Sequence, residues 1–147
     1  MSDAVAVDLD AALGDTRPLW DAFLADAARR YASIAPLDAA ALPADRGEAA
    51  AELDAWAAAG VGDWRHALER FAEDHAPVTL RPNPAANAAL RELKRGGATV
   101  IVFTDAPEPL ARVALAHLGV TRSVDRLETG AGARERATTG ARLYHQT

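Results

Sequence analysis

The stretch ATVIVFTD, residues 98–105, decides which fold this sequence predicts. Its first six residues are apolar except for Thr99 and rich in β-branched side chains, as in a strand covered on both faces of a parallel sheet. Thr104 and Asp105 follow the apolar run, so both residues lie at the carboxyl end of the predicted strand.

Helix and strand patterns alternate outward from this stretch. Helices are predicted over residues 84–95 and 107–118, because each has leucines at helical spacing and is followed by glycine. A third strand is predicted over residues 123–127, a short helix over 130–139 and a fourth strand over 142–146. Such alternation implies right-handed crossovers and a parallel sheet.

The amino-terminal half adds one more strand and a block of helices. Residues 4–10, AVAVDLD, begin with a short apolar run that fits a buried strand. Apolar residues at helical spacing predict several helices between residues 16 and 76, with a connecting segment over residues 33–47 and with the last helix ended by Pro77. The sequence therefore predicts an α/β fold: a three-layer, Rossmann-like parallel sheet from residues 1–15 and 77–147, with an all-helical cap over 16–76 inserted after the first strand.

Composition narrows the classes of function. The 147 residues carry a formal net charge of -5, which argues against a nucleic-acid surface. The absence of Cys excludes disulfides, thiolate metal sites and cysteine nucleophiles. The start, MSDAVAVDLD, lacks the regions of a signal peptide, and no apolar run approaches the roughly 20 residues of a membrane helix. We expect a cytoplasmic protein without membrane or nucleic-acid partners.

Polar residues follow two of the predicted strands where each ends. In open α/β sheets ligands bind outside the carboxyl ends of the strands, which here carry Asp8, Asp10, Thr104 and Asp105. On an extended backbone, Asp8 and Asp10 point to the same side, so one carboxylate can attack while the other handles protons. The same residue types are also ordinary caps of loops and helices, and that alternative stays open here.

The motifs together are similar to those of a known family. Residues 4–16, AVAVDLDAALGDT, resemble the first motif of the haloacid dehalogenase-like phosphohydrolases, a hydrophobic strand followed by DxDGT. Residues 80–120 resemble the second-motif region of the phosphoglycolate-phosphatase-like branch of that superfamily, in which a strand leads to Thr or Ser. The predicted helices between residues 16 and 76 stand where that branch carries a helical cap. The resemblance implies a shortened version of the family's core.

Three residues match the family's catalytic positions. The resemblance implies that Asp8 is the nucleophile that becomes an aspartyl-phosphate, and that Asp10 is the general acid and base. It also implies that Thr104 binds the phosphate, next to Asp105 in the substrate site. Mg²⁺ is the implied cofactor, held by Asp8 and by the backbone carbonyl of Asp10, and the implied substrate is a small phosphorylated molecule.

The sequence departs from the family's pattern in its first and third motifs. Ala11 and Ala12 stand where the family has Gly and Thr. The family also places a Lys after the third strand, whereas the single Lys of this chain, Lys94, precedes the second motif. Arg134 and Arg136 are the candidates to take its place beside the substrate, although a planar guanidinium is not equivalent to an ammonium.

The fourth motif of the family supplies acidic Mg²⁺ ligands, and the sequence contains no Asp or Glu after Glu135. A phosphate ester near Asp8 and Asp10 meets two like charges, each repelling it at 4 Å by roughly 1 kcal/mol in water and about 4 kcal/mol at an effective dielectric of 20. Phosphoryl transfer depends on neutralising such charge. We therefore expect Mg²⁺ binding that is weak or absent and, at best, weak phosphatase activity.

Three hypotheses of function remain. The first is a weak Mg²⁺-dependent phosphomonoesterase that forms an aspartyl-phosphate on Asp8. The alternative is a catalytically degenerate protein of this fold, a pseudoenzyme that serves as a binding or interaction module. The third is dehalogenation of a 2-haloacid, with Asp8 attacking carbon.

The edge of the first strand carries a prediction about assembly. If residues 142–146 do not form the fourth strand, the apolar edge of residues 5–7 is left without a partner strand. Exposed apolar edges promote pairing with another chain. We therefore expect either a strand at 142–146 or a homodimer formed through the first strand.

Overall fold

The computed structural model of the protein describes residues 3–145 and contains a four-stranded parallel sheet in the order β3-β2-β1-β4. The strands are β1 (Ala4–Asp8), β2 (Thr99–Thr104), β3 (Arg126–Thr129) and β4 (Arg142–Leu143). β1 and β2 pair in register over their full length, so that Asp8 lies opposite Phe103. The predicted α/β class and parallel sheet are confirmed.

Six α-helices surround this sheet within the described residues. Several begin at a side-chain cap, as when Asp63 accepts a hydrogen bond from the His66 amide and Asn83 accepts one from the Ala86 amide. The helices are α1 (Arg17–Arg30), α2 (Arg46–Ala57), α3 (Trp64–Thr79), α4 (Pro84–Arg95), α5 (Glu108–Leu118) and α6 (Ala133–Thr138).

The two central strands are covered on both faces. Alternate residues of a strand point to opposite faces of a sheet. Val100 and Val102 belong to a large cluster of buried residues that includes leucines of α1, α3, α4 and α5. Ile101 and Phe103 belong to a second, smaller cluster on the other face, which α6 closes with Ala133 and Ala137. This arrangement is the predicted three-layer architecture.

The helices between the first two strands pack onto the sheet layer directly. α3 lies along α5 and also contacts α1. Leu53 of α2 and Leu68 of α3 are fully buried in the same cluster as Val5 of β1. α3 also runs through the predicted boundary between residues 76 and 77, and the division into a core and a cap stays a prediction.

The predicted end of one helix and the predicted start of one strand are wrong. Pro77 was predicted to end its helix, but α3 continues to Thr79, because the loss of one amide donor is tolerated in a last turn that buries Leu80. The third strand was predicted over residues 123–127, but it begins at Arg126. A 3₁₀ turn at Thr121–Ser123 takes up the preceding residues.

The edge of β1 is paired with β4. Val5 and Ala6 pair with Arg142 and Leu143, and the Tyr144 amide donates a further hydrogen bond of 2.8 Å to the Ala6 carbonyl. The predicted fourth strand is thus confirmed at its start, whereas Gln146 lies outside the described residues. The homodimer stays a prediction. None of the helices that residues 3–145 form is long and apolar enough to cross a lipid bilayer.

Candidate active site

The chain coils sharply where β1 ends. Asp8 is the last residue of β1, and a single π-helical turn follows over Leu9–Leu13. Asp8 caps this turn, since its Oδ1 accepts hydrogen bonds from the amides of Asp10 (3.1 Å) and Ala11 (3.3 Å). The extended backbone that we predicted through Asp10 is therefore wrong, although Asp8 and Asp10 still line the same cleft.

Asp10 has hydrogen-bond donors at both of its carboxylate oxygens. Oδ1 accepts from the amide and the hydroxyl of Thr16, at 2.8 and 2.6 Å. Oδ2 accepts from the hydroxyl of Thr104 at 2.8 Å and from Nη2 of Arg46 at 2.7 Å. The Asp10 side chain is only 8% exposed, so this carboxylate is enclosed by the protein groups that bind it.

Arg46 is the central cation of the site, and the sequence analysis did not find it. Its side chain is 3% exposed. Its Nε donates to Oδ1 of Asp105 at 2.9 Å, and its backbone amide donates to Oδ2 of the same carboxylate at 3.0 Å. The guanidinium also donates to the hydroxyls of Thr16 (2.7 Å) and Thr104 (3.2 Å). Arg46 thus joins Asp10 to Asp105 across the cleft.

The position of Arg46 depends on how α2 begins. We predicted a connecting segment up to Gly47, but Arg46 is the first residue of α2 and Asp45 caps the helix through the Glu48 amide (2.9 Å). The spacing of Asp45 and Glu48 resembles a capping box, and this local signal could have placed the start of the helix correctly. Nothing local indicates that the Arg46 side chain is buried.

Gly47 lets the start of α2 approach a neighbouring loop. A Cβ at this position would overlap the backbone nitrogen of Ala131 and lie 2.6 Å from the carbonyl carbon of Gly130. Real Cβ atoms do not come so close to backbone, so only glycine fits here. The contact places the first turn of α2, and with it Arg46, directly against the segment between β3 and α6.

The surroundings of Asp10 favour its ionised form. Burial alone raises the pKa of this carboxyl, but the Arg46 guanidinium and the hydrogen bonds from Thr16 and Thr104 outweigh that effect. The net result is a pKa below the ordinary value. At neutral pH, Asp10 is therefore a carboxylate, which has no proton to give.

The cleft has a volume of about 620 Å³ and contains charges of both signs. Asp8 and Arg17 line it together with the Asp10–Arg46–Asp105 group, and Trp20 and Phe103 provide apolar walls. The guanidinium of Arg134 also lines it, 5.6 Å above the Phe103 ring. Such a cleft can enclose a small charged molecule.

The structure brings most of the predicted site residues together. Asp8, Asp10, Thr104, Asp105 and Arg134 all line the cleft, and their roles stay predictions.

Arg136 lies elsewhere. Its guanidinium binds Glu128 and the carbonyls of Thr129 and Ala131, so it holds the loop before α6 instead of facing the cleft. Lys94 belongs to the last turn of α4, and its Nζ binds Asp125 at 2.6 Å and the Ala98 carbonyl, just before β2, at 3.3 Å.

The residues of the cleft do not fit Mg²⁺. This ion requires oxygen ligands in near-octahedral geometry at about 2.0–2.1 Å. The resemblance implies Asp8 and the backbone carbonyl of Asp10 as ligands, and Oδ1 of Asp8 already accepts two amide hydrogen bonds. The side chains of Asp10 and Asp105, which could add further oxygens, are bound to the Arg46 guanidinium. Within residues 3–145, no group of three His, Asp or Glu side chains is placed to hold a metal ion.

Comparison with known proteins identifies a family and several solved structures of similar fold. The family model of haloacid dehalogenase-like hydrolases matches residues 5–145. No curated protein matches the chain in sequence.

Three solved structures share the architecture. CbbY from Rhodobacter sphaeroides, in complex with phosphate, has a TM-score of 0.64 and 18% identity, over 95% of this chain and 72% of that one. A Thermotoga maritima protein described as a beta-phosphoglucomutase has a TM-score of 0.53 and 20% identity, over 87% and 61%. A phosphatase from Thermococcus onnurineus has a TM-score of 0.51 and 20% identity, over 87% and 62%. The chain thus spans less than two thirds of the last two, and identities of this size show the fold alone.

Proposed function

The chain belongs to the haloacid dehalogenase-like hydrolase family, and from that premise we propose that its cleft hydrolyses a small phosphorylated metabolite slowly, with Asp8 as the nucleophile. The observation that carries the proposal is the position of Asp8 at the carboxyl end of a central strand, facing the cleft. A neighbour of the same fold is in complex with phosphate, which makes a phosphate monoester the first substrate to test.

Asp8 is oriented for attack by its own backbone contacts. Two amides hold Oδ1, and Oδ2 is the oxygen that we assign to the attack on phosphorus. The bond from phosphorus to the ester oxygen then breaks, and its electron pair leaves with that oxygen. Water subsequently attacks the aspartyl-phosphate, which releases phosphate and regenerates the carboxylate.

Asp10 and Thr104 explain why the reaction is slow in this proposal. Asp10 is held ionised by Arg46, so the leaving oxygen takes its proton from solvent. The Thr104 hydroxyl directs its proton to Asp10 and accepts bonds from Arg46 and the Ala106 amide, which leaves it no proton for a phosphoryl oxygen. Substrates whose leaving group needs no proton are therefore favoured.

The Arg46 contacts also favour a second candidate function. The Asp10 carboxylate and the Thr104 hydroxyl are hydrogen-bonded to each other. Such a site suits a catalytically degenerate protein that binds an anion in the cleft without cleaving it. In that case a phosphorylated ligand binds, but no turnover is found with any leaving group.

The test is hydrolysis of p-nitrophenyl phosphate, whose nitrophenolate leaves without a proton. We expect slow release of nitrophenolate by the wild-type protein and a rate equal to the buffer control for Asp8→Asn. Asp74→Asn, an exposed carboxylate on α3, is the matched control and should keep the wild-type rate. An Asp8→Asn protein with unchanged activity contradicts the proposal, and phosphate binding without turnover supports the binding module.

A further inference from the structure

We propose that the Arg46 guanidinium, which lies between Asp10 and Asp105, supplies the positive charge that the carboxylates of this cleft would otherwise obtain from a divalent cation, and thereby keeps Mg²⁺ from binding there. The inference rests on the proposed function in that it concerns the same cleft, but it is drawn from the contacts of one buried arginine. It makes this chain a metal-independent member of its family.

The first argument is the charge of the group. Asp8, Asp10 and Asp105 bring three carboxylates to the ends of two adjacent strands. Nη2 of Arg46 lies 2.7 Å from Oδ2 of Asp10 and 2.8 Å from Oδ1 of Asp105. A buried guanidinium between two carboxylates provides the counter-charge that such a group requires, and it can do so bidentately.

The second argument is the occupancy of the oxygens. The two oxygens of Asp10 receive four hydrogen bonds, and those of Asp105 receive bonds from the side chain and the backbone of Arg46. A cation bound to the same oxygens would face N–H and O–H hydrogens and a like charge. These oxygens are therefore not free to complete a Mg²⁺ site, and an ion on Asp8 and the Asp10 carbonyl would have no third acidic ligand within residues 3–145 while the Arg46 charge remains nearby.

The third argument is that Arg46 is held in place by the fold. Its backbone amide is bonded to Asp105, so the residue is attached at both ends of its side chain. Gly47 then fixes the first turn of α2 against the backbone of residues 130–131. The position of the guanidinium is therefore fixed by contacts of the backbone, unlike that of a surface side chain that can turn into or out of a cleft.

The test is a titration with MgCl₂ alone. Binding is measured by the shift of the thermal unfolding midpoint and by changes in the NMR signals of the backbone amides of Ala11 and Thr16. We expect no change in the wild-type protein. In Arg46→Gln, which removes the charge, we expect Mg²⁺ to raise the midpoint and to bind at least about tenfold more tightly than in the wild type. Arg95→Gln, an exposed arginine on α4, is the control and should respond like the wild type.

A response of the wild-type protein to Mg²⁺ overturns the proposal, and so does a folded Arg46→Gln protein that shows no gain. Removing one partner of a buried pair is strongly destabilising, so Arg46→Lys serves as the second variant. Arg46→Lys keeps the positive charge, so its unfolding midpoint should not change with Mg²⁺. A midpoint of Arg46→Lys that rises with Mg²⁺ overturns the proposal even if Arg46→Gln does not fold. None of these measurements requires turnover, so they fail or succeed independently of the role of Asp8.

Discussion

Arg46 and Asp10 form an ion pair in which both side chains are almost inaccessible to solvent, at 3% and 8% exposure. Taking two charges out of water is costly, and their attraction repays that cost only when further hydrogen bonds satisfy the remaining donors and acceptors. Here Thr16 and Thr104 provide those bonds. The pair is therefore a specific feature of the site. Losing Arg46 leaves the buried Asp10 carboxylate without a counter-charge, and losing Asp10 leaves Arg46 with Asp105 as its remaining charged partner.

The stability of the protein should depend on pH through Asp10. Its folded pKa is lowered, so its contribution is present above the unfolded pKa of about 3.9 and is lost as the pH falls through the folded value. Asp10→Asn should lower the free energy of unfolding at pH 7 by about 3 kcal/mol. Urea unfolding at several pH values should show that this difference narrows as the pH falls below about 4, because protonation removes the same charge.

Other carboxylates also contribute to acid unfolding, and Asp54 provides the comparison. Its pKa is lowered by a hydrogen bond from Arg65, but the pair is exposed to solvent. Exposed ion pairs contribute little, so Asp54→Asn should change the pH profile much less than Asp10→Asn does. A constant difference between the wild-type and Asp10→Asn proteins across the acid range is the outcome that contradicts the role given to Asp10.

At the scale of elements, the start of α2 matters most to the cleft, and Gly47 tests it. Alanine is about 1 kcal/mol better than glycine in a helix, so propensity alone makes Gly47→Ala stabilising. Its Cβ would collide with the backbone of Ala131, and overpacking of this kind costs about 1–3 kcal/mol. We expect a net loss of stability in urea unfolding, together with shifted amide signals of Thr104 and Asp105 as Arg46 is drawn outward.

Gly96→Ala is the matched control for this substitution. Gly96 ends α4 at a φ of -79°, and a Cβ there would meet only backbone oxygens at 3.6 Å, an ordinary contact distance. This variant should leave the amide signals of the cleft unchanged. If Gly47→Ala is as stable as the wild type and also leaves them unchanged, the contact between α2 and residues 130–131 does not position Arg46.

The elements that could be predicted from the sequence are those that a local pattern determines. β2 follows from an uninterrupted apolar run, and α5 from its leucines and from Gly119, which adopts the left-handed φ of 74° that ends the helix. The burial of Arg46 could not be predicted. Its partners Asp10 and Asp105 are 36 and 59 residues away in the sequence, so only the folded chain shows why an arginine is buried at the start of a helix.

Some features of the candidate site could likewise be predicted from the sequence, and others could not. The positions of Asp8 and Thr104 at neighbouring strand ends follow from the order of strands and helices. Whether Arg134 or Arg136 faces the cleft depends on the turn before α6, where Gly130 and Gly132 both adopt positive φ, and no local pattern distinguishes the two arginines.

At the scale of the whole molecule, the sheet and the helices of residues 17–79 enclose a cleft around Arg46, which is the only buried Arg or Lys within residues 3–145. The family resemblance implies that a bound Mg²⁺ ion supplies positive charge in the cleft, whereas in our proposal an arginine of the chain supplies it. This arginine, Arg46, comes from the helices between the first two strands and binds both Asp10 and Asp105. Because this cation belongs to the chain, the chemistry of the cleft should not depend on added metal.

The most direct measurement is the initial rate of p-nitrophenyl phosphate hydrolysis by the wild-type protein, with an excess of EDTA and again with millimolar MgCl₂, beside Asp8→Asn under both conditions. We predict a slow rate that is the same with EDTA and with Mg²⁺ and that is absent from Asp8→Asn. A wild-type rate that Mg²⁺ raises severalfold and EDTA abolishes would contradict the central claim that Arg46 replaces the metal ion in this cleft.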